Sequence, residues 1–271
     1  MCPGIWGLNV GIRVSLPLGD ADFGHCTVQG RKVCKMDVIQ SQEPTYPPDF
    51  SKSNIQICDL VVPFTLTSPE RVNALIEAVR YIVANRIEGA LVECGVWKGG
   101  STMAIALTLK ELGDETRELY LYDTFSGMSV PTDVDISIYG SVAQDKFSQI
   151  RNSEDSSDWC LCPLKEVREN VFSTSYPKKK FHFVKGKVEN TIPETIPEKI
   201  ALLRLDTDWY ESTKHELTYL FPILKPGGVI IIDDYGHWAG ARKAVDEYIQ
   251  ENSLCILLNR IDYTGRVAIK Y

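Results

Sequence analysis

Acidic residues stand at the ends of two apolar runs in the second half of the chain. Asp206 ends the run 200–206, and Asp233 and Asp234 follow the run 229–232. Carboxylates held this close repel one another, and a hard divalent cation such as Mg²⁺ relieves that repulsion while keeping positions open for substrate. The alternative is that Asp233 and Asp234 only cap a following helix. Because a cap needs one acid and three are clustered here, the pattern favours a metal site.

A glycine-rich turn follows an earlier apolar run, residues 90–94. The stretch 91–102 reads Leu-Val-Glu-Cys-Gly-Val-Trp-Lys-Gly-Gly-Ser-Thr. Glycines between a strand and a helix let the backbone and its free N–H groups approach an anion closely. The spacing G-x-x-x-G-G does not meet the dinucleotide fingerprint G-x-G-x-x-G. Glu93 could receive the ammonium group of an amino-acid-like ligand, and the alternative is a turn with a purely structural role.

Another acid, Asp123, ends the next apolar run, residues 119–123. An acid at the tip of the neighbouring strand commonly accepts hydrogen bonds from ribose hydroxyls. Phe125, two positions later, could supply an apolar wall for an adenine ring. The two strand ends together predict a pocket for an adenosine that carries a charged tail.

Strands and helices must alternate to bring these residues to one edge of a sheet. Apolar runs predict strands at residues 90–94, 119–123, 181–185, 200–206, 229–233, 255–261 and 266–270. Helical periodicity begins at the cap Ser68-Pro69-Glu70 and returns near residues 100–112, 163–173, 210–221 and 237–251. Continuous apolar strands separated by helices indicate a parallel α/β sheet covered on both faces, and the short turn 262–265 predicts an antiparallel edge hairpin. Ligands bind such sheets at the carboxyl ends of the strands.

The composition narrows the class of protein. With 29 basic and 36 acidic residues and a formal net charge of −7, the balance argues against nucleic-acid binding, which needs clustered cations. No apolar run approaches the ~18 residues needed to span a bilayer. We therefore expect a cytoplasmic protein without nucleic-acid or membrane partners. Residues 56–271 are predicted to form one domain, and residues 1–55 an irregular extension that could act as a lid.

The motifs in combination resemble the macrocin O-methyltransferase family, whose members use S-adenosylmethionine and Mg²⁺ to methylate sugar hydroxyls of macrolide and aminocoumarin antibiotics. The resemblance extends over residues 60–271, with motifs at residues 91–100, 123–127, 186–193, 203–212, 226–236, 241–246 and 260–265. It implies a Rossmann-like class I methyltransferase fold, with a seven-stranded, mostly parallel sheet and an antiparallel edge hairpin. Thr207 stands where these enzymes usually have glycine.

The resemblance also implies roles for individual residues. The metal ligands would be Asp206, Asp233 and Asp234, and the cofactor would be held by Glu93, Gly95, Val96, Trp97, Gly100, Ser101, Asp123, Phe125, Ser126 and Val188. The hypothesis is in-line O-methyl transfer to a hydroxyl that the cation orients and acidifies. Asp206 is the first candidate for the proton acceptor, and His237, which titrates near neutrality, is the second. A plain structural role at a helix start is equally compatible with His237.

Several alternatives stay open at this point. The predicted acceptor is a small molecule with a sugar or vicinal-diol hydroxyl, from a natural product or glycan, and a phenolic or enolic hydroxyl of a polyketide or peptide is the competing class. A nicotinamide-dependent oxidoreductase is disfavoured by the glycine spacing and the carboxylate trio, and a non-catalytic binding protein of the same fold is a further possibility. We expect a homo-oligomer, most simply a dimer, and we expect the irregular segment 127–162 to form part of the acceptor wall.

Overall fold

A seven-stranded sheet organises residues 46–271, the part of the chain that the computed structural model describes. Most of the predicted extension, and with it the predicted lid, falls on residues 1–45 and lies outside the described residues. The first described helix, α1, covers Lys52–Val61 and so spans the predicted boundary at residue 56. Its buried side chains join the main hydrophobic core.

The strand order matches the predicted architecture. The strands are β1 (Ala90–Cys94), β2 (Leu119–Asp123), β3 (Phe181–Lys185), β4 (Ile200–Leu205), β5 (Leu224–Ile232), β6 (Asn259–Arg260) and β7 (Arg266–Ile269). They lie side by side in the order β3-β2-β1-β4-β5-β7-β6, in which β1 to β5 are parallel and β7 is antiparallel to both β5 and β6. The predicted mostly parallel sheet with an antiparallel edge hairpin is therefore confirmed.

Two strands differ in length from the prediction. β5 begins at Leu224 rather than at residue 229, because Leu224 already pairs with Ile200 of β4. β6 contains only Asn259–Arg260 instead of residues 255–261, since the apolar residues before it pack against the core by alternate side chains without joining the sheet. The apolar content that predicts a longer β6 therefore reflects burial and not strand pairing.

Eight α-helices flank or connect these strands in the described part of the chain. They are α1 (Lys52–Val61), α2 (Pro69–Ala84), α3 (Gly100–Glu111), α4 (Ala143–Ile150), α5 (Leu164–Ser173), α6 (Val188–Thr191), α7 (Tyr210–Leu220) and α8 (Ala239–Glu251). The predicted helices α2, α3, α5, α7 and α8 are confirmed, and the Ser68 hydroxyl caps α2 by accepting a hydrogen bond from the Arg71 amide. The helices α1, α4 and α6 lie in stretches where the sequence predicts none. None of the described helices is long and apolar enough to cross a membrane.

Helices cover both faces of the sheet. One hydrophobic cluster packs α1, α2, α3 and α5 against the sheet, and a second cluster packs α7 and α8 against the opposite face. Leu91 and Val92 of β1 belong to different clusters, because successive side chains in a strand point to opposite faces. The five parallel strands consequently end at one edge, where the loops that follow them can form a common site.

Candidate active site

A cavity of about 310 Å³ opens at the carboxyl ends of the parallel strands. This is the position at which open α/β sheets bind their ligands. Most of the predicted site residues line it, namely Glu93, Gly95, Val96, Trp97, Gly100, Ser101, Asp123, Val188, Asp206, Asp233, Asp234 and His237. The fold thus brings together residues that follow or end all five parallel strands.

Phe125 and Ser126 are predicted cofactor contacts that the structure places outside the cavity lining. The main chain of Phe125 has a φ angle of 51°. This left-handed turn directs the ring into the main hydrophobic core, where the residue is 4% exposed. The prediction of an adenine wall rested on residue type alone, whereas the direction of the side chain depends on the turn after β2.

Asp123 holds together the loops in the half of the cavity next to β1 and β2, which we call the glycine half. Its Oδ2 accepts hydrogen bonds from the Val96 amide at 2.7 Å and the Trp97 amide at 3.2 Å, and its Oδ1 accepts one from the Phe125 amide at 2.6 Å. Burial raises the pKa of the Asp123 carboxyl, and the amides of Val96 and Phe125 oppose that rise. The Thr124 hydroxyl oxygen lies 3.5 Å from Oδ1, but its proton is directed to the Gly127 carbonyl at 2.7 Å. Since a carboxylate accepts about four hydrogen bonds, Asp123 can accept one from a ligand hydroxyl.

Gly95 lets the loop after β1 touch the loop after β4. Its φ angle is 82°, and a Cβ atom added there would overlap the carbonyl oxygen of Asp206. The Asp206 amide in turn donates a 2.8 Å hydrogen bond to the Cys94 carbonyl. The glycine that the sequence predicts to approach a ligand therefore also permits two loops of the protein to meet.

Arg204 lies at the centre of the other half of the cavity, next to β4 and β5, which we call the acidic half. It is 1% exposed and stands in register with Glu93 of β1. Its guanidinium donates to Glu93 Oε1 at 2.8 Å, to Asp206 Oδ2 at 2.7 Å and to Asp233 Oδ1 at 2.6 Å. Buried charges persist when they are paired in this way. Arg204 is not among the predicted site residues. Its sequence position could have indicated it, because an arginine inside an apolar strand, two positions before an acid on the same face, needs a buried partner.

Glu93 is paired within the protein. It is 2% exposed, and it accepts a hydrogen bond from Arg204 through Oε1 and another from the Thr102 hydroxyl through Oε2. Burial raises the pKa of the Glu93 carboxyl, while Arg204 and the Thr102 hydroxyl oppose that rise. A ligand ammonium group, the partner predicted for Glu93, would therefore join an existing ion pair.

Asp233, which is predicted to be a metal ligand, accepts a hydrogen bond from an arginine on each of its two oxygens. Oδ1 accepts from Arg204, and Oδ2 accepts from Nη1 of Arg71 on α2. Arg71 Nε also donates a 3.0 Å hydrogen bond to Asp262 Oδ2 in the turn between β6 and β7. Burial alone would lower the pKa of Arg71, but Asp233 and Asp262 raise it. A metal ion bound by Asp233 would share these oxygens with the two guanidinium groups, since each carboxylate oxygen has a second lone pair.

Asp206, Asp208 and Asp234 form a cluster in which each carboxylate offers an oxygen, and these oxygens lie within 4.8 Å of one another. Asp208 joins the cluster through a left-handed main-chain conformation, with a φ angle of 69°. It is not among the predicted site residues, although it belongs to the same Asp-Thr-Asp motif as Asp206. Oδ2 of Asp234 is buried and has no hydrogen-bond partner among the described residues. Carboxylate oxygens at this spacing, one of them unsatisfied, fit a hard divalent cation.

Burial and mutual repulsion raise the pKa of every carboxyl in this cluster. Burial raises the pKa of Asp206 well above its ordinary value, and Arg204 offsets only part of the effect. Burial, followed by the charge of Asp206, raises the pKa of Asp208 to about 7. Burial, followed by the charge of Asp208, raises the pKa of Asp234 well above its ordinary value. Added positive charge would favour the ionised forms of all three carboxyls, which is a second reason why the cluster suits a cation.

His237 lines the cavity beside the carboxylate cluster. Its amide donates a 3.0 Å hydrogen bond to the Asp234 carbonyl, and its Nδ1 lies 3.3 Å from the Tyr263 hydroxyl oxygen. Burial and the positive charge of Arg71 lower the pKa of the imidazole. The ring is therefore neutral near pH 7 and able to accept a proton.

Three tryptophans form a wall beside Asp208. The ring centroids of Trp159, Trp209 and Trp238 lie 5.1, 5.5 and 6.1 Å apart, separations that are typical of packed aromatic side chains. Trp159 and Trp238 line the cavity, and Trp209 is buried with its Nε1 donating to the Ser129 carbonyl at 3.1 Å. Because Trp159 belongs to the irregular segment 127–162, that segment contributes to the cavity wall.

Comparison with known proteins decides among the alternatives for the class of protein. Residues 51–269 match the family model for macrocin O-methyltransferase, TylF. The chain belongs to the macrocin O-methyltransferase family. It is therefore an O-methyltransferase, and neither a nicotinamide-dependent oxidoreductase nor a non-catalytic binding protein.

Curated relatives carry names of the same class. The chain is 34% identical over 205 residues to the 8-demethyl-8-(2,3-dimethoxy-alpha-L-rhamnosyl)-tetracenomycin-C 4'-O-methyltransferase of Streptomyces olivaceus, with 75% of this chain and 74% of that protein covered. It is 29% identical over 201 residues to the demethyldecarbamoylnovobiocin O-methyltransferase of Streptomyces niveus, with 74% of this chain and 73% of that protein covered.

Solved structures agree with this assignment. The O-methyltransferase NovP is 27% identical and has a TM-score of 0.66, with 76% of this chain and 82% of that chain covered. The calicheamicin methyltransferase CalS11, at 17% identity, shares the fold with a TM-score of 0.56 over 83% of this chain and 93% of that chain. The predicted class I methyltransferase fold is thus confirmed.

Proposed function

We propose that this O-methyltransferase transfers the methyl group of S-adenosylmethionine to a sugar or vicinal-diol hydroxyl of a natural product, with a divalent cation such as Mg²⁺. The observation that carries the proposal is the cluster of Asp206, Asp208 and Asp234, with its unsatisfied Asp234 oxygen, in a cavity shared with the glycine-rich turn. The tetracenomycin relative, whose name contains a rhamnosyl group, supports a sugar-bearing antibiotic as the type of acceptor.

S-adenosylmethionine would bind along the glycine half, and its sulfonium group is the source of the methyl group. Gly100 and Ser101 begin α3 and line the cavity, and amides at a helix start suit a carboxylate such as that of the cofactor. Asp123 would accept a ribose hydroxyl with its remaining hydrogen-bonding capacity. Val188, at the start of α6, would lie against the adenine ring.

The divalent cation would be held by Asp206 and Asp234, with Asp208 as the third carboxylate, and it would supply charge that lowers the pKa of the acceptor hydroxyl. Asp233, which the resemblance assigns as a ligand, would instead hold the guanidinium groups of Arg71 and Arg204 beside the cluster. In this arrangement Asp234 is free to face the cation because its neighbour carries the ion pairs.

Asp208 is the carboxylate best suited to take the proton from the acceptor hydroxyl. Asp206, the first candidate from the sequence, already accepts a 2.7 Å hydrogen bond from Arg204 at Oδ2, so that oxygen is less free to take a proton. Without a cation, burial and the charge of Asp206 raise the pKa of Asp208 to about 7, and a cation held by the cluster would lower that pKa while leaving Asp208 ionised to accept the proton. His237, the second candidate from the sequence, lines the same cavity and is the next choice.

The indole rings of Trp159 and Trp238 would receive the acceptor. They lie beside Asp208, so a ring bound against them would present its hydroxyls to the carboxylate cluster. Lys146 Nζ lies 3.6 Å from the centroid of the Trp159 ring and occupies one of its faces. An acceptor for this site would need an apolar face for the indole rings and hydroxyls for the carboxylate cluster. A sugar has both, since its C–H face can contact an indole and its neighbouring hydroxyls would face the cluster.

A transfer assay with labelled S-adenosylmethionine tests the proposal on two acceptors, a glycoside with a vicinal diol and an aglycone with only phenolic hydroxyls. We expect transfer to the glycoside alone, loss of transfer in EDTA and recovery on adding Mg²⁺. Transfer that persists in EDTA would contradict the cation, and transfer to the phenol alone would establish the competing acceptor class. Asp246→Asn, at an exposed acid on α8, is the matched control and should leave the rates unchanged.

The predicted homodimer and the predicted cytoplasmic location stay predictions. Light scattering of the purified protein tests the first of them by giving the mass of the particle in solution. A mass twice that of the chain is the expected result, and the mass of a single chain would contradict it.

A further inference from the structure

Glu216 is a buried acidic residue that the proposed reaction does not use. It lies in α7 and is 0% exposed. Its Oε1 accepts a 2.9 Å hydrogen bond from the Thr207 hydroxyl, and its Oε2 has no hydrogen-bond partner within residues 46–271. A buried carboxyl with one unsatisfied oxygen costs stability that an apolar side chain would not cost. The Cys94 thiol lies beside this carboxyl and is a weak hydrogen-bond donor, so the contribution of Glu216 is to be sought first in its hydrogen bond with Thr207.

Thr207, the partner of Glu216, stands between two carboxylates of the cluster, Asp206 and Asp208. Its carbonyl accepts a 2.8 Å hydrogen bond from the Trp209 amide. The main chain at Asp208 has a φ angle of 69°, a conformation that residues with side chains seldom adopt. Such a turn persists where the surrounding contacts hold it, and the hydrogen bond from Thr207 to Glu216 ties this turn to α7.

We propose that Glu216 is a positioning residue: through the Thr207 hydroxyl it holds the 206–208 turn in the conformation that directs Asp206 and Asp208 into the cavity. The inference rests on the proposed function, because the turn matters for the reaction only if these two carboxylates serve it. The anchor is a firm one, since α7 packs Leu217 and Leu220 into the second hydrophobic cluster.

The proposal depends on the hydrogen bond and not on the bulk of either side chain. Thr207→Val keeps the branched shape and removes the hydroxyl, while Thr207→Ser keeps the hydroxyl. Glu216→Leu removes the acceptor oxygens, while Glu216→Gln keeps an acceptor oxygen at the same reach. The chain thus offers two matched pairs of variants, and the members of each pair differ in one hydrogen-bonding capability.

Binding of Mn²⁺ alone, measured by titration calorimetry, and steady-state methyl transfer are compared across these variants. We expect Thr207→Val and Glu216→Leu each to weaken Mn²⁺ binding and to lower kcat roughly tenfold, as loss of a supporting contact behind metal ligands does, with an unchanged KM for S-adenosylmethionine. Thr207→Ser and Glu216→Gln should match the wild-type protein. The double variant T207V/E216L should lose no more than either single variant, since both break the same interaction.

Wild-type Mn²⁺ binding and kcat in Thr207→Val would overturn the proposal, and so would full additivity in the double variant. If Glu216→Leu fails to fold, the two Thr207 variants and Glu216→Gln still test whether the hydrogen bond holds the turn. Hydrogen exchange at the Asp208 and Trp209 amides separates this proposal from the proposed function. Faster exchange in Thr207→Val would support the anchor, and unchanged exchange would contradict it. An absence of cation-dependent transfer in the wild-type protein would contradict the proposed function alone and leave the anchor supported.

Discussion

The two halves of the cavity are held in opposite ways. In the glycine half the loops are bound by main-chain amides, three of which donate to Asp123. In the acidic half the loops carry charged side chains, and Arg204 pairs with three carboxylates. The geometry of the glycine half therefore depends on the path of the backbone, whereas that of the acidic half depends on a balance of buried charges.

This difference indicates which half responds to its surroundings. A hydrogen bond from an amide to the Asp123 carboxylate keeps its geometry whether or not a cation is present. A cation added to the cluster of Asp206, Asp208 and Asp234 would lower the pKa values of these carboxyls. The acidic half is therefore the one whose stability and affinity should vary with cation and with pH.

The largest expected effect comes from removing Arg204. Arg204→Met keeps much of the side-chain volume and leaves Glu93, Asp206 and Asp233 without their shared cation. Breaking a buried ion pair costs about 3–5 kcal/mol, so the free energy of unfolding measured in urea should fall by that amount, or the chain should fail to fold. Arg204→Lys keeps the charge without the planar guanidinium group, so its free energy of unfolding should lie between those of the wild-type protein and Arg204→Met.

The result with Arg204→Met could also contradict the view that buried charges hold the acidic half. A loss of less than about 1 kcal/mol, as for an exposed ion pair, would mean that the surrounding carboxyls are neutral without their arginine. The acidic half would then be held by shape and hydrogen bonds, as the glycine half is.

Substitutions at two adjacent acids sharpen the description of the acidic half. Asp234→Asn should lower Mn²⁺ affinity and cation-dependent transfer by about 100-fold, because Asp234 contributes the otherwise unsatisfied oxygen. Asp233→Asn should chiefly lower the free energy of unfolding, because it weakens the pairs with Arg71 and Arg204. Calorimetry with Mn²⁺ compares the two variants. Equal losses of affinity would restore Asp233 as the metal ligand predicted from the sequence.

Most of the glycine half could be predicted from the sequence, because it is encoded in consecutive residues. Strand β1, the glycine-rich turn and the start of α3 follow one another directly, so their spacing is enough to place Gly95 and Gly100 at the cavity. Phe125 is the exception, because its left-handed φ angle of 51° is not indicated by its residue type and sends the ring into the core.

The acidic half could be predicted only in part. Asp206, Asp233 and Asp234 are recognisable because acids stand out at the ends of apolar strands. The ion pairs of the acidic half join residues that are far apart in the sequence. Arg204 and Glu93 are 111 positions apart, and Arg71 and Asp233 are 162 positions apart. These pairings depend on the order of the strands and on the packing of α2, which no short pattern specifies.

The irregular segment 127–162 shows the same limit. Helix α4 has only two buried side chains, Ala143 and Phe147, which is too few to produce a recognisable period. Asp135 in this segment is fully buried, and its Oδ1 accepts a 2.9 Å hydrogen bond from the Tyr210 amide at the start of α7. A helix cap supplied from 75 positions away leaves no local signal.

Gly95→Ala tests the junction between the two halves. The added Cβ would overlap the Asp206 carbonyl oxygen, and alanine would have to adopt a φ angle of 82°. Gly113→Ala is the matched control, because Gly113 has a φ angle of 72° with open space around it. Both variants should lose about 1 kcal/mol from the left-handed conformation, and Gly95→Ala should lose a further 1–3 kcal/mol, roughly, from the overlap. Equal losses in thermal unfolding would contradict the close contact between the halves.

The smallest expected effect concerns Asp262, which joins the acidic half to the turn between β6 and β7 through Arg71. Burial alone would raise the pKa of the Asp262 carboxyl, but the Gly265 amide, the Ser68 hydroxyl and Arg71 outweigh burial and hold the pKa below its usual value. Because the pKa is lower in the folded state, the carboxylate stabilises the fold above the unfolded pKa of about 4, and this contribution is lost as the pH falls through the folded value.

Asp262→Asn should therefore lower the free energy of unfolding at pH 7 by about 1 kcal/mol, the net value of a typical hydrogen bond. The difference from the wild-type protein should shrink as unfolding is measured at pH values falling below the unfolded pKa of about 4, because the wild-type carboxyl takes up its proton there. A difference that is constant with pH would mean that Asp262 contributes by its shape and not by its charge. The stability of the fold would then depend on charge only at the cavity, and not at the turn between β6 and β7 that Arg71 contacts.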